Sequence, residues 1–94
     1  MSITRINHFE AKPGSEADLL AFMQHVVTAV SAADGCINCS LLQGAESAAQ
    51  FAVIEEWVSI AQHKAAASII PKEQMAQAMV FFAKPPFGIY YTRE

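Results

Sequence analysis

The stretch from Gln50 to His63 constrains the fold more than any other part of the chain, because it predicts a strand that runs into a helix. Residues at alternate positions of a strand share a face, which places together Phe51, Val53, Glu55 and Trp57 on one side, and Ala52, Ile54, Glu56 and Val58 on the other. Both faces begin with apolar residues, which is typical of a strand that is covered on both sides. We therefore predict a central strand with helices on one face of its sheet and a second copy of the chain on the other.

The composition indicates one small domain with apolar surface to spare. A chain of 94 residues buries only about 60 to 65% of the surface that it exposes when unfolded, which gives a thin core. Even so, 53% of the residues are hydrophobic and only 16% are charged, which is apolar for a small domain. This balance favours an oligomer or an apolar ligand pocket. We predict a single domain over residues 1–94 that forms a homodimer.

Charge and segment composition argue against several partners and compartments. The net charge is -3, and no basic stripe is present that could neutralise a nucleic-acid backbone. No apolar run reaches the roughly 18 to 20 residues that span a bilayer, and the N-terminus lacks the pattern of a secretion signal. Two cysteines cannot form a disulfide scaffold, which agrees with a reducing compartment. We expect a cytoplasmic protein with no nucleic-acid or membrane partner.

The hydrophobic periodicity predicts six elements in the order strand, helix, strand, strand, broken helix, strand. They are a strand over Ile3–Ala11, a helix from Ser15 to Asp34, strands over Cys36–Gln43 and Gln50–Trp57, a helix from Ser59 to about Ile70 that resumes after Pro71 up to Phe82, and a strand over Phe87–Arg93. This order is that of the α+β ferredoxin-like split βαβ fold, with a four-stranded antiparallel sheet and helices on one face. Because Ile6, Leu42 and Ile54 point to the bare face, we predict sheet-to-sheet packing into a dimeric α/β barrel.

Local signals predict where the helices begin and where the cysteines point. Ser15 with Asp18, and Ser59 with Gln62, have the spacing of capping boxes, and Gly35 suits a left-handed helix end. Cys36 and Cys39 are separated by an odd number of strand positions, so we expect their sulfurs on opposite faces as core groups. A redox pair of this spacing normally opens a helix instead.

Three short motifs, taken in order, resemble the antibiotic biosynthesis monooxygenase domains. They are Phe-Glu-Ala-Lys-Pro-Gly at residues 9–14, Asp-Gly-Cys-Ile-Asn-Cys-Ser-Leu at residues 34–41, and Glu56-Trp57 at the end of the central strand. These domains are dimeric α+β barrels that include quinol monooxygenases and relatives of the haem-degrading monooxygenases. The resemblance covers nearly the whole chain and implies the same dimeric barrel.

The chain departs from that family at positions that concern haem. The haem-degrading branch carries its iron-ligating His where this chain has Ala66 and Ala67, although Asn7 and Trp57 match the Asn and Trp of that branch. His63 could replace the missing ligand only if the helix were shifted. We therefore expect neither haem nor another metal or cofactor.

The resemblance implies oxygenation of a small hydroxylated aromatic compound or quinol, which itself supplies the electrons. The protein then has to remove a proton, hold the anion in a dry apolar pocket and stabilise an oxyanion. His8, His25 and His63 are the candidate bases, and Asn7, Trp57, Tyr90 and Tyr91 are the candidate donors. We predict Asn7, Trp57 and His63 as catalytic residues. The residues predicted to bind substrate are Phe22, Val26 and Tyr91.

Two other functions remain open from the sequence. The chain could be a homodimer that binds a small ligand without chemistry, since the family His is missing and a fold does not fix a function. It could also be an isomerase of a small carbonyl compound, which would use the same base and donors without oxygen. Trp57 could equally be a core anchor. Glu55 and Glu56 point to opposite faces, so we expect one of them to turn inward and pair with Arg5 or Arg93.

Overall fold

The computed structural model describes residues 2–94, so Met1 of the predicted domain lies outside the described residues. The elements in chain order are β1 (Ile3–Glu10), α1 (Glu16–Ser31), β2 (Cys36–Gln43), β3 (Gln50–Trp57), α2 (Ile60–Ala65), α3 (Lys72–Ala78) and β4 (Phe87–Tyr91). Short 3₁₀ turns at Ala66–Ser68 and Met79–Phe81 follow α2 and α3.

The four strands form one sheet in the order β2-β3-β1-β4, and each strand is antiparallel to its neighbours. This order and the sequence of elements confirm the predicted ferredoxin-like fold. β3 lies inside the sheet between β1 and β2, as its apolar pattern predicts. Leu19 and Met23 of α1 pack on the inner face of β3 against Phe51 and Val53, and this group forms the hydrophobic core.

The two faces of β3 differ sharply in exposure. Phe51, Val53 and Trp57 on the inner face are at most 2% exposed, whereas Ile54 on the outer face is 38% exposed. The predicted inner face is therefore confirmed. The outer face is uncovered in the single chain, and it presents five large apolar side chains to solvent, namely Leu42, Ile54, Phe87, Ile89 and Tyr91.

The ends of α1 differ from the prediction. Ser15 makes no side-chain capping bond; instead the Glu16 carboxylate accepts a hydrogen bond from the Gly14 N–H at 2.9 Å. The helix ends at Ser31 rather than near Asp34, because residues 32 and 33 close a tighter turn through bonds to Ala29 and Val30. Gly35 has φ +85°, the left-handed conformation that was predicted for it.

The second helical region is shorter than predicted. Ser59 Oγ accepts from the Gln62 N–H at 3.1 Å, so this capping position is confirmed. The helix ends at Ala65 instead of Ile70, since the chain tightens into a 3₁₀ turn, and Pro71 then sits immediately before α3. β4 ends at Tyr91, opposite Thr4, whereas the prediction extended it to Arg93.

A bulge in β2 corrects the prediction for the cysteines. The pairing register shifts between Cys36 and Asn38, so Cys36 lies opposite Trp57 and Cys39 lies opposite Glu55. Because the bulge adds one residue, both cysteines share the inner face. Both are free thiols, and burial together with the nearby Glu55 charge raises the pKa of Cys39 to about 12.

Within residues 2–94, no helix combines the length and the apolar character that crossing a membrane requires.

Candidate active site

A buried carboxylate stands at the centre of the candidate site. Glu55 lies on the inner face of β3 between Val53 and Trp57, and only 6% of it is exposed. Its Oε1 atom accepts a hydrogen bond from the Trp57 indole at 2.8 Å, and its Oε2 atom accepts one from the Asn7 amide at 2.9 Å. The two donors come from neighbouring strands, so the sheet itself holds this carboxylate in place.

Arg5 extends the arrangement along β1 towards the edge strand. Its Nε–H donates to Asn7 Oδ1 at 2.9 Å, which fixes the Asn7 amide with its N–H groups towards Glu55. Its guanidinium lies over the ring of Tyr90 at 4.5 Å from the centroid, a cation–π contact. The pairing register explains the grouping, since Arg5 lies opposite both Glu55 and Tyr90.

The edge strand leaves room for these side chains through a glycine. Gly88 lies opposite Asn7 in the register. A Cβ atom at Gly88 would collide with Asn7 Oδ1 and would come within 2.6 Å of the Arg5 guanidinium. Glycine inside a strand often marks such a close approach. Gly88 is therefore required by the Arg5–Asn7 contact.

α2 brings an imidazole to the same group. His63 Nδ1 lies 2.6 Å from the Tyr90 hydroxyl, and Nε2 lies 3.6 Å from Glu55 Oε1. The ring also meets the Trp57 and Tyr90 rings edge to face, each at 5.3 Å between centroids. Because a carboxylate only accepts, the tautomer that suits both contacts carries its proton on Nε2 and accepts from the Tyr90 O–H at Nδ1.

Burial sets the protonation preferences of the two titratable groups at the centre. It raises the pKa of Glu55, and the Trp57 bond, the Arg5 charge and the Asn7 bond offset part of that shift. Burial lowers the pKa of His63, and the charges of Arg5 and Lys64 lower it further. The Glu55 carboxylate does not reverse this, since its Oε1 lies 3.6 Å from His63 Nε2, beyond hydrogen-bond distance. His63 is consequently a neutral base at neutral pH.

A small cavity of about 180 Å³ adjoins this group at the β4 edge. Its walls are Arg5, Asn7, Phe9, Pro86, Phe87 and Gly88. Among residues 2–94, the Arg5 side chain donates one hydrogen bond, to Asn7, which leaves the rest of its five N–H donors for a ligand. The cavity is thus a place where a small anion or polar ring would meet both a cation and an amide.

The structure brings together the three residues predicted as catalytic, Asn7, Trp57 and His63, and their roles stay predictions. Phe22 lines a different cavity of about 400 Å³ with His25, Gln74 and Phe81. Val26 packs against the hydrophobic core. Neither of these two shares a hydrogen bond or a cavity wall with Asn7 or His63.

The structure places Tyr91, which was predicted to bind substrate, apart from the three residues predicted as catalytic, and its role stays a prediction. Tyr91 alternates with Tyr90 and lies on the outer face, 44% exposed, whereas Tyr90 contacts His63 and Arg5 on the inner face. His8 stacks on Phe87 and is exposed, and His25 is an exposed residue near Gln74. His63 is thus the only one of the three candidate bases that contacts Glu55.

The sequence analysis expected Glu55 or Glu56 to turn inward and pair with Arg5 or Arg93, and it is Glu55 that is buried, with Arg5 bonded to the Asn7 amide that donates to it. It did not predict that Glu55 is the centre of the group, and it named Tyr90 only as one of four candidate donors. A carboxylate at an inward position of an apolar strand is itself a signal, since a buried charge needs partners. Gly88 within the last strand was the second signal. In the described residues, no three His, Cys, Asp or Glu side chains are grouped as a metal site.

The fold and the buried polar group define a ferredoxin-like α+β domain with a site on its helix-covered face. The chain belongs to the antibiotic biosynthesis monooxygenase family, whose sequence profile matches residues 2–68. The matched region includes Asn7, Glu55, Trp57 and His63 but ends before Tyr90. Comparison with curated proteins gives no significant match.

Solved structures with the same fold cover almost the entire chain. A protein from Bordetella bronchiseptica, provisionally described as an antibiotic biosynthesis monooxygenase, is similar at 22% identity with a TM-score of 0.82, over 99% of this chain and 97% of that one. A variant of SnoaB, described as a cofactor-independent oxygenase from Streptomyces nogalater, has 14% identity and a TM-score of 0.81, over 98% and 92% of the two chains. A Mycobacterium tuberculosis protein has 18% identity and a TM-score of 0.84, over 100% and 96%. At these identities the likeness establishes the fold.

Proposed function

We propose that the chain is a cofactor-independent monooxygenase that acts on a small hydroxylated aromatic compound or quinol. The observation that carries the proposal is the row Glu55–His63–Tyr90, which joins a carboxylate, a neutral imidazole and a phenol on the inner face of a member of this family. The description of SnoaB as a cofactor-independent oxygenase supports the choice of chemistry.

The row provides a path for the substrate proton. A substrate hydroxyl donates its proton to the Tyr90 oxygen while the Tyr90 hydroxyl passes its own proton to His63 Nδ1. The imidazolium that forms is stabilised by Glu55 on the side of Nε2. The lowered pKa of His63 keeps it unprotonated before the transfer. Glu55 therefore holds and stabilises the base, and it does not contact the substrate.

The substrate anion supplies the electrons for the reaction with oxygen. One electron passes to O₂, and the resulting radical pair combines through a new C–O bond to form a peroxide anion at a ring or activated methylene carbon. This anion takes back the proton held by His63, through Tyr90, and becomes a hydroperoxide. Loss of water from that carbon breaks the O–O bond and leaves a carbonyl group. One oxygen atom stays in the product and the other leaves in water. The substrate supplies all four electrons, two for the oxygen atom that it gains and two for the oxygen atom that becomes water.

Arg5, Asn7 and Trp57 have distinct parts in this proposal. The free guanidinium N–H groups of Arg5, at the wall of the 180 Å³ cavity, stabilise the phenolate and the peroxide oxygen. Asn7 lines the same cavity and orients both Arg5 and Glu55. Trp57 is 1% exposed and its N–H is bound to Glu55, so it acts as a positioning residue.

The proposal includes a homodimer formed through the outer face of the sheet. That face presents five large side chains between 38% and 53% exposed, Leu42, Ile54, Phe87, Ile89 and Tyr91. An apolar sheet face of this kind is stabilised when a second sheet packs on it. A dimer of this kind would leave the inner-face sites of both copies accessible from the helix side.

One observation favours a second candidate function, binding without chemistry. One Glu55 oxygen accepts from the Trp57 N–H and the other from the Asn7 amide N–H, while Asn7 Oδ1 accepts from the Arg5 Nε–H. Such a saturated network can serve to stabilise the sheet alone. Under this alternative, the domain binds a small ligand as a dimer and does not consume oxygen.

Oxygen uptake by purified, flavin-free and metal-free protein tests the proposal against a panel of hydroquinones and polyhydroxylated aromatics, each corrected for autoxidation. We expect saturable uptake, with one atom of ¹⁸O₂ in the product. His63→Asn should abolish it, whereas His25→Asn, which changes an exposed His on α1, should not. Uptake that is absent across the panel, or equal in both variants, would contradict the proposal. Substrate turnover without oxygen uptake would indicate isomerisation instead.

A further inference from the structure

Arg5 is a partly buried cation whose charge has no direct anionic partner in the described protein. Its side chain donates one hydrogen bond, from Nε to Asn7 Oδ1. Among residues 2–94, no carboxylate oxygen lies within 4.0 Å of its nitrogen atoms. The nearby Glu55 carboxylate accepts from Asn7 and Trp57 instead. A guanidinium ion that is partly withdrawn from water is stabilised by an anion, so this arrangement indicates an anionic ligand.

The unused edge of the guanidinium is open to solvent and fixed in direction. Its two Nη atoms have no hydrogen-bond partner within residues 2–94, and they are not sealed, because the one fully buried side-chain nitrogen or oxygen without a partner there is Gln62 Oε1. The Asn7 bond holds Nε, and the guanidinium lies over the Tyr90 ring at 4.5 Å from the centroid. An edge held in this way matches two neighbouring oxygen atoms of a ligand.

The cavity beside Arg5 admits one aromatic ring. Its volume is about 180 Å³, which is below the roughly 300 Å³ at which sites for drug-sized ligands begin. Arg5 is the only charged residue in its wall. The rings of Phe9 and Pro86, which line the same cavity, suit a flat apolar body. A single planar ring with an anionic edge meets both conditions.

The proton path from the substrate to Tyr90 and His63 decides which anion this is. A carboxylate is already ionised at neutral pH, so it brings no proton for that path to remove and no electrons for oxygen. A single phenol oxygen would use half of the guanidinium edge. Two hydroxyl groups on neighbouring ring carbons meet both requirements, because one of them ionises while the second oxygen stays beside it.

We propose that the substrate of this site is a single-ring catechol, a compound with two hydroxyl groups on neighbouring ring carbons, whose two oxygens both accept hydrogen bonds from the Nη atoms of Arg5. The choice of a phenol rests on the proposed monooxygenase function, whereas the binding itself needs no oxygen. In a 1,4-hydroquinone the two oxygens lie on opposite sides of the ring, so only one of them reaches this edge.

Binding of 4-nitrocatechol under argon tests the proposal without any oxygenation. The nitro group favours ionisation of this catechol near neutral pH and makes it resistant to oxidation. 4-Nitrophenol is the matched probe, since it has the same ionised oxygen and lacks the neighbouring one. In ¹⁵N-labelled protein we expect saturable shifts of the Asn7 and Gly88 amides, with a roughly millimolar dissociation constant for 4-nitrocatechol and about tenfold weaker binding of 4-nitrophenol. The amides of Ala33 and Ala66, which line a separate groove, should not shift.

The two arginines of the chain provide a matched pair of variants. Arg5→Lys keeps the charge and removes the planar fork, so the preference for 4-nitrocatechol should fall from about tenfold to about twofold or less. Arg93→Lys makes the same change at an exposed residue after β4 and should leave the preference unchanged. If Arg5→Lys fails to fold, the comparison of the two probes on the unaltered protein still decides.

Three results would overturn the proposal. They are an absence of saturable shifts at Asn7 and Gly88, equal affinity for the two nitro compounds, and equal loss of preference in the two variants. In the oxygen-uptake assay, catechol should have a higher kcat/KM than its isomer 1,4-hydroquinone. Uptake together with equal binding of the two probes would overturn the catechol site and leave the monooxygenase proposal standing. Preferential binding of 4-nitrocatechol without uptake on any substrate would support the site and contradict the monooxygenase.

Discussion

Glu55 Oε1 lies 2.8 Å from Trp57 Nε1, two residues further along the same face of β3. The indole is thereby both a core side chain and the donor that makes a buried carboxylate tolerable. Trp57 is therefore a structural residue that also determines the environment of Glu55. Removing the N–H would affect folding through Glu55 and reactivity through the same carboxylate.

Trp57→Phe should destabilise the fold by about 1–3 kcal/mol through the lost donor, in addition to the loss of packing. Burial already raises the pKa of Glu55, and Trp57 is the first of the groups that oppose this rise. The variant should therefore raise that pKa further. A group whose pKa is raised in the folded state loses stabilisation as pH rises through that pKa.

Urea unfolding of the two proteins at several pH values measures this effect. The difference in unfolding free energy should grow as pH rises through the folded-state pKa of Glu55, which lies above the usual value of 4.5. In the Glu55→Leu background the pH dependence of the Trp57→Phe effect should disappear. A constant difference at all pH values would show that the hydrogen bond to Glu55 has no part in it.

His63 should give the opposite pH dependence. Burial lowers its pKa below 6.5, so the unfolded chain binds this proton more tightly than the folded one. Its contribution to stability is present above pH 6.5 and is lost as pH falls from 6.5 through the folded-state pKa. Unfolding of the protein should become easier over this range, and the change should be smaller in His63→Asn.

NMR titration of the His63 ring measures the same pKa directly. A His63 pKa at or above the ordinary value of 6.5 would contradict the assignment of a neutral base. If the proposed reaction occurs, its rate should fall on the acid side of the His63 pKa.

Features of the site that depend on one strand could be predicted from the sequence, whereas features that depend on how two strands pair could not. The alternation within β1 and β3 is local, so it correctly placed Asn7 and Trp57 on one face. The choice between Tyr90 and Tyr91 depends on the register of β4 against β1, where a shift of one residue exchanges the two faces. Nothing in the five residues of β4 fixes that register.

The prediction for the two cysteines was wrong for a related reason. Simple alternation placed Cys36 and Cys39 on opposite faces, but the extra residue at Ile37 turned both inward. A bulge results from pairing between two strands and leaves no period in the sequence of one of them. The helix ends were similarly misplaced, because the turn after α1 and the 3₁₀ turn after α2 depend on packing.

Gly88→Ala should disrupt the site from the edge strand. The new methyl group would collide with Asn7 Oδ1 and approach Arg5 within 2.6 Å, so one of these side chains has to move. We expect a loss of about 1–3 kcal/mol in the free energy of unfolding. Asn7→Ala removes the colliding atom, so the two substitutions should be markedly non-additive in a double-mutant cycle. Additive effects in thermal or urea unfolding would contradict the close approach.

The apolar outer face of the sheet predicts that the protein forms a dimer. The unaltered protein should sediment as a dimer at micromolar concentration, because Ile54 and Ile89 on this face are 38% and 48% exposed in one chain. Ile54 on β3 and Ile89 on β4 lie on either side of β1, and both pair with Ile6, so the three residues form the middle of the apolar surface.

Ile54→Lys should shift the protein to the monomer, because it would bury a charge without a partner between two sheets. The control is Val80→Lys, which places the same charge at a 61% exposed apolar residue in the 3₁₀ turn after α3, away from the sheet. Analytical ultracentrifugation of the three proteins distinguishes the cases. A monomeric unaltered protein, or a Val80→Lys protein that dissociates while Ile54→Lys does not, would exclude packing through this face.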